Sequence, residues 1–182
     1  NYVVNIENAK NIIFNKVNFY ATYTGTASAQ YTNVIRVTGS ENITFRNGII
    51  RTKKRAAFTN TYNLVLLGDN NQYVTIDHCL LDSGYYQVST FGMGTASGHH
   101  LIVTNSDLIN FAYRAIDVRN IDSVQVQSDS IASSQTANNK PLLGISIANS
   151  HNVAVKKNFI HLMDNYSGGK RGIQLYHCTG TN

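Results

Sequence analysis

Along this chain apolar side chains recur at every second position in short runs, and the runs themselves recur. Six segments place apolar or small residues at four equivalent positions. They are Ile12-Phe14-Val17-Phe19, Ile43-Phe45-Gly48-Ile50, Val74-Ile76-Cys79-Leu81, Leu101-Val103-Ser106-Leu108, Val124-Val126-Asp129-Ile131 and Val153-Val155-Asn158-Ile160. The first, second and fourth positions are always apolar. The third is mostly small or polar, as suits a corner. Upstream of each segment lies another alternating pair: Val4/Ile6, Ile35/Val37, Leu64/Leu66, Phe91/Met93, Ile116/Val118 and Ile145/Ile147. A seventh pair, Ile173/Leu175, opens a coil that the sequence does not finish. Period two predicts strands with one buried face, and the three-and-four recurrence of an amphipathic helix is missing.

After each pair comes a polar link containing Asn8, Gly39, Gly68, Thr95, Asn120 or Asn149. Asparagine and glycine tolerate the left-handed backbone of a sharp corner. The second-position residues Phe14, Phe45, Ile76, Val103, Val126 and Val155 recur at intervals of 31, 31, 27, 23 and 29 residues. One coil of three short strands and three turns needs about that much chain. A β-sandwich also alternates, but it need not repeat a whole pattern at near-constant spacing. The sequence therefore predicts an all-β parallel β-helix of about six to seven coils, occupying 1–182 as a single segment.

Segments such as Ser40-Glu41-Asn42-Ile43-Thr44-Phe45-Arg46-Asn47-Gly48-Ile49-Ile50 and Ser150-His151-Asn152-Val153-Ala154-Val155-Lys156-Lys157-Asn158-Phe159-Ile160 resemble repeats of the pectate-lyase-like superfamily. The resemblance runs from about Val3 to Thr181 and rests on core and corner residues. It implies a right-handed coil, which agrees with the usual hand of parallel crossovers. It also implies an extended polysaccharide lying along a strand face, and in lyases a basic residue that removes a proton. A Ca2+ ion would be implied by the resemblance alone; the residues themselves point to no cofactor.

The chain begins almost inside a strand and stops soon after a new coil starts, and no amphipathic capping helix flanks either end. Solenoids protect their terminal coils, so the expectation is a piece of a longer chain, or ends covered by absent coils or another chain. Cys79 and Cys178 fall four coils apart, on the order of 19 Å at strand spacing, which excludes a disulfide or a shared metal. No apolar run is long enough for a membrane span.

The formal charge of +5 favours an anionic partner. The competing reading is a soluble surface with a modest excess of lysine and arginine. No nucleic-acid motif accompanies the charge, and the resemblance implies a polysaccharide partner, anionic in keeping with that charge, met outside the cytoplasm, secreted or at the cell surface. Loop lengths locate where it would sit. Fifteen residues at 20–34 and 13 at 51–63 are followed by nine at 82–90 and seven at 109–115, then 13 at 132–144 and 12 at 161–172. Long walls around short connections describe a saddle beside the fourth and fifth coils.

The strand entering the saddle carries Arg114, Asp117 and Arg119, and matching positions on other coils offer Arg36, Tyr62, Gly92, Arg171, Gln174 and Tyr176. Arginine forks suit sugar carboxylates, and tyrosine faces suit sugar rings. Arg114, Asp117, Arg119, Arg36, Tyr62, Arg171 and Tyr176 are the candidate substrate-binding set. The competing reading of the Arg–Asp–Arg run is a charge ladder that blocks lateral aggregation.

Glycoside hydrolysis needs two carboxyl groups across one bond, and Asp117 has only Asp82 as a neighbouring acid. His78, His99, His100 and His161 are spread over different corners, unlike converging zinc ligands. The basic run Arg51, Lys53, Lys54, Arg55 reads as a solvated loop. The function expected is polysaccharide interaction, as part of a lyase-like enzyme, and the alternative is a non-catalytic, adhesin-like surface scaffold.

Overall fold

A computed structural model describes residues 2–22, 33–52, 62–90, 98–133, 142–163 and 169–180. Their regular elements are all strands, and every strand pair is parallel. Three sheets run the length of the stack. The first contains Tyr2–Glu7, Asn33–Thr38, Asn63–Leu67, Tyr86–Ser89, Arg114–Arg119, Leu142–Ala148 and Lys170–Tyr176. The second contains Lys10–Asn15, Glu41–Arg46, Asn71–Asp77, Gly98–Thr104, Ile121–Gln127 and His151–Lys156. The third contains Phe19–Ala21, Ile49–Thr52, Leu80–Asp82, Asp107–Ile109, Ser130–Ser133 and Phe159–Leu162. The chain visits first, second and third sheet in turn, so the molecule is a parallel β-solenoid.

The stack advances about five turns, slightly fewer than the six to seven coils expected. Six complete rungs are separated by five steps, and the seventh first-sheet strand is followed, among the described residues, by a single bridge from Thr179 to His151. No helix among the described residues is long and apolar enough to cross a membrane.

Parallel pairing stacks like on like. In the second sheet Ile12, Ile43, Val74, Leu101, Val124 and Val153 form one column, and Phe14, Phe45, Ile76, Val103, Val126 and Val155 the next. Phe19, Ile50, Leu81, Leu108, Ile131 and Ile160 line the third sheet's inner side. These columns meet in a single core. At its first coils Phe14 and Phe45 stack with centroids 5.2 Å apart, while Phe19 packs edge-on against both.

The first sheet departs from the expected register in two coils. The inner pair of the third coil is Val65/Leu67, in line with Ile35/Val37. Leu66 lies on the opposite face, beside Arg36, so the pair Leu64/Leu66 is corrected by one residue. Leu64 is nevertheless fully buried and belongs to the core, as do Val34 and Ala115 at the same register position. In the fourth coil the strand is Tyr86–Ser89, with Val88 between Val65 and Ile116. Phe91, Met93 and Gly92 lie outside the described residues, as do the middle parts of the four longer loops that wall the saddle, Lys53, Lys54 and Arg55 among them.

Corners are held by side chains that reach one coil back. The Ser40 hydroxyl accepts from the Ala9 N–H, and the Asn71 amide oxygen accepts from the Ser40 N–H at 3.1 Å. Asn8, Gly39, Asn120 and Asn149 have φ near +50 to +60° as expected, and Asn70 (φ +59°) takes the left-handed position in the third coil. At the next corner Gly48 lies against the Val17 backbone, where any Cβ would overlap the Val17 carbonyl oxygen.

Candidate functional site

Alternation along the first sheet sends one column away from the core: Asn5, Arg36, Leu66, Ser89, Asp117, Ser146 and Gln174. Its middle members are nevertheless buried, Asp117 to 1% exposure and Ser89 fully. The Arg114 guanidinium reaches Asp117 Oδ1 at 2.7 Å from three residues earlier on the same strand. The same nitrogen donates to the Ser146 hydroxyl at 3.3 Å, and Nη2 donates to the Tyr113 hydroxyl at 2.8 Å. Asp117 Oδ2 and Arg114 Nε are buried without hydrogen-bond partners among the described residues. This is an ion pair with unused bonding capacity on both members.

Tyrosines gather around it. Tyr62, Tyr85, Tyr86 and Tyr113 form a satellite cluster with Ala112, separate from the main core. Ring centroids lie 5.0 to 5.6 Å apart within Tyr85, Tyr86 and Tyr113. The Arg114 guanidinium stands 4.5 Å over the Tyr113 ring. Burial, and then the Asp117 charge, push the Tyr86 hydroxyl well above the ordinary tyrosine range, so it stays protonated. The cluster recurs because a tyrosine precedes or opens each first-sheet strand here, at Tyr62, Tyr86 and Tyr113. Sequence reasoning selected Tyr62 alone. The signal that would have found the others is a tyrosine just before three successive strands.

Strand register relates the remaining candidates. Arg114 aligns through Leu143 with Arg171, Asp117 through Ser146 with Gln174, and Arg119 through Ala148 with Tyr176. The contact from Arg114 to Asp117 is therefore repeated two rungs on, where the Arg171 guanidinium donates to Gln174 Oε1 at 3.4 Å. Arg119, Arg171 and Tyr176 are exposed. Arg36 shares the Asp117 column but lies three rungs away, about 14 Å at strand spacing. The fold thus unites Arg114, Asp117 and the tyrosines, sets Arg119 and Tyr176 in one file, and leaves Arg36 apart.

The acids and histidines outside this face make local pairs. His78 Nδ1 lies 2.7 Å from Asp77 Oδ1, and His99 Nδ1 lies 3.6 Å from Asp122. Asp82 accepts from Asn110 and Ser83 on the third sheet, away from Asp117. His161 lines a shallow hollow of about 300 Å³ with Ile109, Asn110, Ala132, Ser133 and Met163. Arg51 sits over the Tyr20 ring at 5.1 Å. Cys79 and Cys178 are both free, the first inside a corner and the second half-buried.

Chemically, a buried Asp117 held by an arginine is poorly placed to exchange protons with a large substrate. Exposed Arg119, Arg171 and Tyr176 offer charge and a ring face to a ligand lying across the strands.

No family model matches the chain, and no curated protein matches it. A solved structure of full-length QnrB1, a plasmid-mediated fluoroquinolone resistance protein, aligns over 96% of this chain and 92% of its own. Identity is 11% and the TM-score 0.21, a likeness that carries no argument about this chain.

Proposed function

We propose that this β-solenoid interacts with an acidic polysaccharide outside the cytoplasm, using the outer side of its first sheet. The observation that carries the reading is the register that files Arg119 with Tyr176 and Arg114 with Arg171. Files one rung apart repeat at about 4.8 Å and two rungs apart at about 9.6 Å, so basic and aromatic groups recur along the axis on a scale suited to a chain of sugar rings. Arg119 and Arg171 supply forks for uronate carboxylates, and Tyr176 supplies a stacking face. Arg114 and Asp117 act from behind as a rigid support, together with Tyr86 and Tyr113.

The resemblance to pectate-lyase-like repeats extends this proposal to a lyase-like step, for which Arg119 is the exposed basic residue of the central strand. No second carboxyl faces Asp117 among the described residues, which fits elimination better than hydrolysis. Ca2+ enters only through the resemblance; among the described residues no cluster of three acidic, histidine or cysteine side chains gathers.

One observation favours the second reading, an adhesin-like scaffold. Asp117 is 1% exposed and already paired, which suits a structural tie between strands. Binding of uronic-acid oligomers by calorimetry, with absorbance of unsaturated products followed in parallel, separates the readings. Binding lost in Arg119→Ala supports the first; absence of binding to every acidic glycan supports the scaffold.

A further inference from the structure

The corner between the second and third sheets carries a ladder of its own. The Cys79 N–H donates to the Ser106 hydroxyl at 3.1 Å, the Ser106 N–H to Asp129 Oδ1 at 2.8 Å, and the Asp129 N–H to Asn158 Oδ1 at 2.9 Å. Each side chain satisfies the backbone of the coil before it. Asn158 completes its slot with its other end: Nδ2 donates to the Val126 carbonyl at 2.9 Å. Asn71 does the same at the neighbouring corner, donating to the carbonyls of Val37 and Gly68. The slot thus wants an acceptor on one side and a donor on the other.

Asp129 has an acceptor on both. It is 2% exposed, and its Oδ2 has no partner among the described residues. By register, Val103 stands to Asp129 as Val126 stands to Asn158. We propose that Asp129 is a proton-operated latch: protonated, its Oδ2–H serves as the missing donor toward a corner carbonyl; ionised, it leaves the fourth to sixth coils strained apart.

The surrounding charges agree with that role. Burial chiefly raises the Asp129 carboxyl to about 7; the backbone of Ser106 and Gln127 pulls it down, and the Asp77 and Asp107 carboxylates on the earlier coils add smaller upward pushes. The His78 ring lies against Asp77, with Nδ1 2.7 Å from Oδ1. Lys156 and Lys157 on the following coil are exposed, where solvent screens their effect.

The sign follows from linkage. The folded chain holds a proton that the unfolded chain releases near pH 4, so stability falls as pH rises from about 4 to about 7 and is level above. The unfolding constant changes by up to about tenfold per pH unit for this one proton.

Denaturant unfolding of wild type and Asp129→Asn, measured across that range, tests the latch. The stability difference in favour of Asp129→Asn should grow from about pH 4 to about pH 7 and then level off. Asp129→Ala, which loses the acceptor as well, should be less stable than wild type at the acid end. A difference that is independent of pH overturns the proposal. So that a misfolded variant cannot obscure the answer, the carboxyl carbon of Asp129 in the wild-type chain is followed by NMR. Titration near neutral pH is expected; a midpoint in the ordinary aspartate range contradicts the latch.

Discussion

Arg114 and Asp117 lie 2.7 Å apart on one strand, with 14% and 1% of their side chains exposed. Such a pair gains little over an apolar replacement, yet breaking it leaves an uncompensated charge. Asp117→Ala and Arg114→Ala should each lose about 3–5 kcal/mol in urea unfolding. The double variant should lose less than the two losses added, since neither charge is stranded. Strict additivity would show that the two residues do not interact.

Val126 is fully buried between Val103 and Val155 in the second-position column. A carboxylate there meets apolar neighbours on two rungs. Val126→Asp should cost about 4 kcal/mol or more, seen as a collapse of the melting temperature. An unchanged melting temperature would mean that the column is out of register.

Gly48 stands where a Cβ would strike the Val17 carbonyl oxygen, a backbone atom that cannot step aside. Gly48→Ala should lower the midpoint of unfolding markedly. Gly169→Ala, with no atom within 4 Å of the added carbon but φ +85°, should show only a backbone cost of about 1–2 kcal/mol.

Cys79 is 3% exposed and burial pushes its thiol up, whereas Cys178 is half-buried. Thiolate is the reactive form, so a thiol reagent should label Cys178 first in the folded chain. Cys79 should follow only on unfolding. Labelling of Cys79 at the same rate would indicate that the corner opens readily.

The second and third sheets were legible because polar residues alternate with apolar ones at nearly every rung, which fixes which face is inside. In the third coil Leu64, Val65, Leu66 and Leu67 are all apolar, and parity cannot be read from them. Leu64 belongs to the core all the same, while Leu66 faces away from it. The fourth coil failed for the opposite reason. Gln87 is fully buried, its amide donating to the carbonyls of Leu81, Ser83 and Ile109, so a polar residue stands at an inner position beside the single apolar Val88. Phe91 and Met93 offered a cleaner alternation and drew the register three residues downstream. At the site, Arg114, Asp117 and Arg119 were legible as a strand pattern. Their unequal exposure was not, because the outward column of a solenoid ordinarily faces solvent and here is buried around Asp117. Tyr85, Tyr86 and Tyr113 were missed because they lie in the corner before a strand or at its first residue, where periodicity gives no guide.

The central claim is that exposed groups on the first sheet's outer face recognise an acidic glycan. Calorimetric titration of a uronic-acid oligomer into wild type, Arg119→Ala and Arg36→Ala tests it most directly. Arg119→Ala should weaken binding by about tenfold, the scale of one lost charge-assisted contact, while Arg36→Ala, three rungs from Asp117 in register, should bind nearly as wild type. Equal affinity in all three proteins, or no binding in any, would contradict the account.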